Sequence, residues 1–176
     1  LPFFLGEVIY ERLVDPSALP GVLSFGLSAS SSYRDSEVDI DGYDVLRLGA
    51  EAAWITSAVF GPGLKWDSTA AAYVDAYAMH QNSAYEDTVT RFTGSFETKV
   101  SWPLTRTTAT GASEVIEPMI QLGWSDSVGG EVPNTDSTLV EFDEGNLMTL
   151  ARFPGADRRA TGVTAAAGLH FAHYAE

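Results

Sequence analysis

The sequence predicts an all-β protein, an antiparallel transmembrane β-barrel segment contributing six to seven long strands to a larger barrel. Three observations predict it. Apolar and polar residues alternate with period two along most of the chain, the mark of a strand with two unlike faces. The alternating runs are longer than the roughly five or six residues usual in soluble sheets. Aromatic residues (Tyr33, Trp54, Trp66, Trp102, Trp124 and Phe171) fall near the ends of these runs, as the interfacial girdles of a membrane barrel require.

A weak run at 7–13 comes first. Within 21–34, Leu23, Phe25, Leu27, Ala29 and Tyr33 share one face, and Ser24, Gly26, Ser28, Ser30 and Ser32 the other. Leu46, Leu48, Ala50, Ala52 and Trp54 then oppose Arg47, Gly49, Glu51 and Ala53. From Leu64 to Tyr77, Trp66, Ala70, Ala72, Val74 and Ala76 oppose Lys65, Asp67, Thr69, Tyr73 and Asp75. The cleanest alternation sets Phe92, Gly94, Phe96, Val100 and Trp102 against Arg91, Thr93, Ser95, Glu97, Lys99 and Ser101. Ile116, Ile120, Leu122 and Trp124 form the next apolar face, and Val163, Ala165, Ala167, Leu169 and Phe171 the last. Pro118 removes one ladder donor within its strand and marks a bulge or a local break, with a weakened seam as one functional reading.

Composition narrows the class. Apolar residues make up 45% of the 176, yet no stretch nears the roughly 18 consecutive apolar residues of a spanning helix. The net charge of −14 excludes a nucleic-acid partner, because phosphate binding needs a basic footprint. Without cysteine there is neither a disulfide nor a thiolate metal site within this chain. The start Leu1-Pro2-Phe3-Phe4-Leu5 carries no signal-peptide pattern, so the chain reads as a piece of something longer. The soluble alternative is a sandwich or lipocalin-like, lipid-binding barrel with its apolar face inward. Strand length, an apolar face rich in Ala and Gly, and the aromatic placement count against it.

Connections follow the same logic, since bacterial outer-membrane barrels alternate short periplasmic turns with longer extracellular loops. The connections at 16–20, 61–63 and 103–112 are assigned to the periplasm, and those at 35–44, 81–87 and 125–158 to the outside. The last is expected to fold back over the barrel. Asp35, Glu37, Asp39 and Asp41 alternate as in a calcium loop, but position twelve is Leu46 instead of a bidentate Glu. A solvated acidic loop and a divalent-ion site are the two readings. His80, His170 and His173 lie in no zinc-protease spacing and no Ser sits in a nucleophile elbow, so no catalytic residue is assigned and an enzyme is not expected.

Four ordered elements occupy the region around the long connection. They are Ile116-Glu117-Pro118-Met119-Ile120-Gln121, Pro133-Asn134-Thr135-Asp136-Ser137, Glu141-Phe142-Asp143-Glu144-Gly145-Asn146-Leu147 and Arg152-Phe153-Pro154-Gly155-Ala156-Asp157-Arg158. This series resembles the LptD (OstA) family of lipopolysaccharide-assembly proteins, with its LEP-x-x-Q, PN-x-DS, EFD-x-x-NL and RFPG-x-DR elements in that order. Ile116 stands where the family has Leu, a conservative departure. The resemblance implies that residues 1–176 are part of the C-terminal β-barrel domain of a translocon in the bacterial outer membrane. It implies insertion of lipopolysaccharide into the outer leaflet, without a cofactor. It further implies a barrel of roughly two dozen strands, closed by strands beyond this piece. The implied partners are lipopolysaccharide, an LptE-type plug lipoprotein, a periplasmic LptA-type bridge acting through an N-terminal domain, and membrane lipid. A porin-like channel is the alternative, sharing the alternation but having no reason to carry the four elements. Arg47, Glu51, Asp75, Arg91, Glu97 and Lys99 are the lumen-facing candidates from their side of the alternation. Asp136, Glu141, Asp143 and Asp157 are expected to pair with Arg152, Arg158 or Arg159 within the connection.

Overall fold

The computed structural model of the chain describes residues 4–134, 146, 148, 149 and 155–175. Eight antiparallel strands form one curled sheet: β1 (Phe4–Val14), β2 (Val22–Tyr33), β3 (Asp44–Phe60), β4 (Leu64–His80), β5 (Thr88–Ser101), β6 (Leu104–Thr107), β7 (Ser113–Gly129) and β8 (Gly162–Tyr174). Each pairs with its neighbour in an up-and-down order, and β1 and β8 do not meet. The alternating runs located every strand but β6, and underestimated the length of all but β2. The extra residues, such as Ile55–Phe60 of β3, lose the alternation. A strand of 17 residues spans roughly 55 Å, whereas an apolar band is about 25 Å tall. Residues beyond the band face water on both sides, so nothing there selects a period of two.

The connection at 103–112 is corrected. Ser101 lies opposite Met119 and Leu104 opposite Ile116, so one register runs from β5 through β6 along the same edge of β7. The two are a single strand interrupted at Trp102 and Pro103. Trp102 N–H donates to the Pro118 carbonyl at 3.1 Å, but Pro118 has no N–H to return the bond. Pro118 therefore marks a break and not a bulge, since no extra residue enters the ladder. The turn shrinks to residues 108–112, closed by Thr108 N–H on the Ala112 carbonyl at 2.8 Å and Gly111 N–H on the Thr108 carbonyl at 3.1 Å. The long connection also starts later than 125, because β7 continues to Gly129.

Burial is inverted relative to a soluble sheet. Leu27, Leu48, Ile120, Leu122, Val163 and Leu169 are all more than half exposed, whereas Asp75, Thr93, Ser101, Gln121 and Ser125 are buried. The register explains the inversion: Leu27 lies opposite Ala50, Ala50 opposite Val74 and Val74 opposite Phe92, one continuous apolar outer face. Three of its tryptophans carry satisfied donors. The Trp54 indole N–H donates to the Pro20 carbonyl at 2.9 Å, Trp66 to Thr98 Oγ1 at 2.8 Å and Trp102 to the Pro62 carbonyl at 3.3 Å. These three flank the turns of one end, as an apolar ring with a polar tip would at an interface. Trp124 instead lies inside β7.

Facing can be tested by charge. Arg in place of Ala72, mid-strand on the exposed face of β4, is expected to cost about 2–4 kcal/mol. Arg in place of Thr69, on the opposite face, should cost less than about 1 kcal/mol. Urea unfolding of the full-length protein in lipid vesicles measures both, and equal costs would refute the assignment of faces.

Candidate functional site

The inner face holds a cluster of buried charge. The ladder sets Gly49 opposite Asp75 and Asp75 opposite Arg91, with Arg47 opposite Tyr77. Neighbours directly or diagonally across a ladder lie close enough for long side chains to meet. The Asp75 carboxylate, 1% exposed, is 3.3 Å from Arg47 Nη2, 3.2 Å from Arg91 Nη2 and 3.5 Å from Arg159 Nη2. Room for this comes from Gly49, where a Cβ would lie 2.5 Å from Ser28 Oγ and 3.4 Å from Asp75 Oδ1.

Three guanidiniums on one carboxylate leave excess positive charge in a poorly hydrated place, and buried charge is costly unless paired or hydrogen-bonded. The compensation is local. Arg91 also donates to the Tyr77 hydroxyl at 3.0 Å and to the carbonyls of Ala156 and Asp157 at 2.5 and 2.6 Å. Arg159 lies over the Tyr73 ring at 3.8 Å and Arg91 over the Tyr77 ring at 5.6 Å, each a cation–π contact. The Tyr77 hydroxyl in turn donates to Asp157 Oδ1 at 3.4 Å.

Of the six inner-face candidates, the structure gathers Arg47, Asp75 and Arg91 into this cluster. Glu97 accepts from Gln121 Nε2 at 3.1 Å. Lys99 is 3.9 Å from Asp67, which Lys65 approaches to 3.2 Å. Glu51 lines a cavity of about 380 Å³ with Glu7 and Glu11. A second cavity, about 190 Å³, is lined by Thr69, Thr93, Ser95, Glu97 and Ser125, a hydroxyl-rich wall with one acid. Toward the rim with the longer connections the inner face turns apolar, with Tyr77, Met79 and Val89 buried together under Val45, Tyr85 and Val132.

Sequence reasoning missed Tyr73, Tyr77 and the true partner of Arg159. The tyrosines flank Asp75 at two-residue spacing, so their shared face was legible but their rings over arginine were not. Arg159 pairs with Asp75 across the sheet. Of the motif residues, Glu117 and Pro118 lie in β7, Pro133 is buried, Asn134 is exposed, and Asn146 caps a turn through its carbonyl, which accepts from Thr149 N–H at 3.2 Å. Gly155 lines both cavities, Asp157 is buried, and Arg158 lines the smaller cavity. Asp136, Ser137, Glu141, Phe142, Asp143, Leu147, Arg152, Phe153 and Pro154 lie outside the described residues. The described parts of the connection meet the inner face: a Cβ on Gly168 would fall 2.8 Å from Met148 Cε, and 155–159 meet the charged cluster.

The acidic loop after β2 is held by contacts with a neighbouring loop. Among the described residues no three His, Asp or Glu side chains form a metal-holding group. Of Asp35, Glu37, Asp39 and Asp41, Asp39 is engaged elsewhere, accepting from the Ser83 hydroxyl and from Ser83 N–H at 3.0 Å. Ile40 N–H adds a bond to the Gln81 carbonyl at 2.9 Å, so the loops after β2 and β4 are stitched together. Burial pushes the Tyr43 phenol up, with the Arg34 guanidinium 4.3 Å over its ring opposing the shift. Ser83's hydroxyl, then its N–H, holds the Asp39 carboxyl below the usual carboxylate value.

The family described as LptD, LPS transport system D, matches residues 14–172. Comparison with curated proteins gives no match.

Two predictions follow from this geometry. Asp75→Ala strands three arginines and is expected to cost about 3–5 kcal/mol in urea unfolding, whereas Asp67→Ala, which removes a partly exposed pair, should cost under about 1 kcal/mol. Comparable losses would show that the cluster holds nothing together. Because the Asp39 pKa is depressed on folding, its contribution is present above the unfolded value of 3.8 and is lost as pH falls through the lower, folded one. Exchange of the Ser83 amide should therefore stay protected down to that range and accelerate below it, and Asp39→Asn should abolish the pH dependence.

Proposed function

The chain belongs to the LptD family, and from that premise we propose that it is part of the C-terminal β-barrel domain of an outer-membrane lipopolysaccharide translocon. Family membership places it in lipopolysaccharide transport. The observation that carries the finer reading is the inverted burial: an exposed apolar face on one side and buried charge on the other. Hydrocarbon solvates the first, and a wet lumen accommodates the second. A soluble lipid-binding barrel would reverse the two faces.

In this reading the connections 34–43, 81–87 and 130–161 lie outside the cell, and the turns at 15–21, 61–63 and 108–112 face the periplasm. Lipopolysaccharide arrives from an LptA-type bridge through an N-terminal domain and leaves into the outer leaflet, with an LptE-type lipoprotein in the lumen. Arg47, Glu51, Asp75, Arg91, Glu97 and Lys99 face that lumen. Each strand hands its backbone groups to the next, so β1 and β8 pair with further strands of the same barrel.

Depletion of the full-length protein in its native cell, with labelled lipopolysaccharide followed to the surface, tests the reading. Loss of surface lipopolysaccharide with retained inner-membrane pools is the expected result. Unchanged surface lipopolysaccharide with altered uptake of small solutes would refute it and leave a porin-like channel.

A further inference from the structure

We propose that residues 155–159 form a polar latch that divides the inner face into two chambers and opens as a unit. Three observations carry this. The first is the partition itself: Tyr73, Gly155 and Arg159 line both the cavity of about 190 Å³ and that of about 380 Å³. The latch, braced on one tyrosine of the wall, separates them. Lifting it would join a hydroxyl-rich chamber to an acidic one along β3, β4 and β5.

The second is the kind of contact. Latch and wall are joined by Arg91 donating to the carbonyls of Ala156 and Asp157, Tyr77 donating to the Asp157 carboxylate and Arg159 pairing with Asp75, with Arg159 stacked on Tyr73. All are polar or charge-assisted, and two use backbone carbonyls, so they depend on the path of the segment more than on its side chains. A clasp of this type differs from an apolar one in how it opens. Water entering the lumen replaces hydrogen bonds to guanidinium and carboxylate, whereas it cannot replace buried apolar contact.

The third is the state of the wall. The Nε atoms of Arg47, Arg91 and Arg159 are buried without a hydrogen-bond partner, so the cluster already has more donors than acceptors. Arg91 takes two of its acceptors from the latch. The wall therefore favours closure, yet by groups that a polar ligand bearing oxygens would satisfy equally well. A ligand rich in hydroxyl or acidic oxygens displaces the latch by competing for Arg91 and Arg159. The segment then returns to β8 through Gly162, whose φ of +95° gives a left-handed pivot that a side chain would oppose.

The proposal rests on the inner face being a lumen, and the test separates the two. In the full-length protein in lipid vesicles, Ala156→Cys is labelled with a water-soluble maleimide, alone and combined with Arg91→Gln. Labelling is expected to be slow alone and at least ten-fold faster with Arg91→Gln, with Arg91→Lys intermediate because an ammonium cannot span both carbonyls. Single-channel conductance should rise in the same order. An unchanged labelling rate in protein that keeps the heat-modifiable gel migration of a folded barrel would overturn the latch, as would faster labelling without a conductance change. If Arg91→Gln does not fold, Arg159→Gln decides by the same readouts. A fluorophore at Leu48→Cys reports the facing independently: quenching by brominated lipid supports the membrane reading, and its absence removes that reading without touching the labelling result.

Discussion

A strand that crosses hydrocarbon must hand every backbone N–H and C=O to a neighbouring strand, because no water is present to take them. That constraint organises this chain. It explains why the sheet is an up-and-down ladder and why the strands run to 17 residues. It also explains why the place where a donor is missing is so confined. Pro118 lacks its N–H and Pro103 lacks another, and the two interruptions fall on adjacent rungs, so the β5–β6 strand breaks once and resumes in the same register. Clustering them limits the number of ladder bonds lost while leaving the pairing of β7 with β8 continuous from Ser113 to Ser125.

With the backbone satisfied, the side chains divide by solvent. An outer face solvated by lipid needs no packing partner, so small residues serve as well as large ones. Ala50, Ala52, Ala70, Ala72 and Ala76 would be poor material for a soluble core, where voids are costly. Away from the strand ends charge falls on the inner face, where for Asp75 ladder neighbours and a returning segment supply the counterparts, whereas Arg12, Glu114 and Asp126 take the outer parity near strand ends. Asp75 is the centre of that arrangement because it lies within reach of arginines from two strands and one loop.

Period two was enough to place seven of the eight strands and to assign Arg47, Asp75 and Arg91 to one face, since both follow from local alternation. The short β6 was not legible: Leu104–Thr107 is too brief to show a period, and Pro103 before it reads as a turn signal. The break at Pro118 was legible because a missing donor has the same consequence in any ladder. The role of Arg159 was not, because its partner is more than eighty residues away and sequence offers nearer acids in the same connection. Its pairing depends on the path of the chain back across the sheet, which is a tertiary property. The acidic alternation at Asp35–Asp41 left a solvated loop and an ion site open, and spacing alone could not show that Asp39 turns toward Ser83 of another loop.

The two kinds of information meet in the segment that carries the RFPG-x-DR resemblance. Its described part, Gly155 to Arg158, followed by Arg159, meets the inner wall through backbone carbonyls, one carboxylate and one guanidinium. Gly155 lines both inner-face cavities, and Asp157 is buried where the Tyr77 hydroxyl reaches it. A motif of this composition is too polar to be a core element and too buried to be a solvated loop tip. Its chemistry is that of a segment shaped to fit charged groups already fixed by the ladder. The wall is fixed because three strands hold it in register, whereas the segment rejoins the sheet through Gly162, whose positive φ leaves it free to adopt the turn into β8. The ladder therefore sets where the charges stand, and the segment is the part that conforms to them.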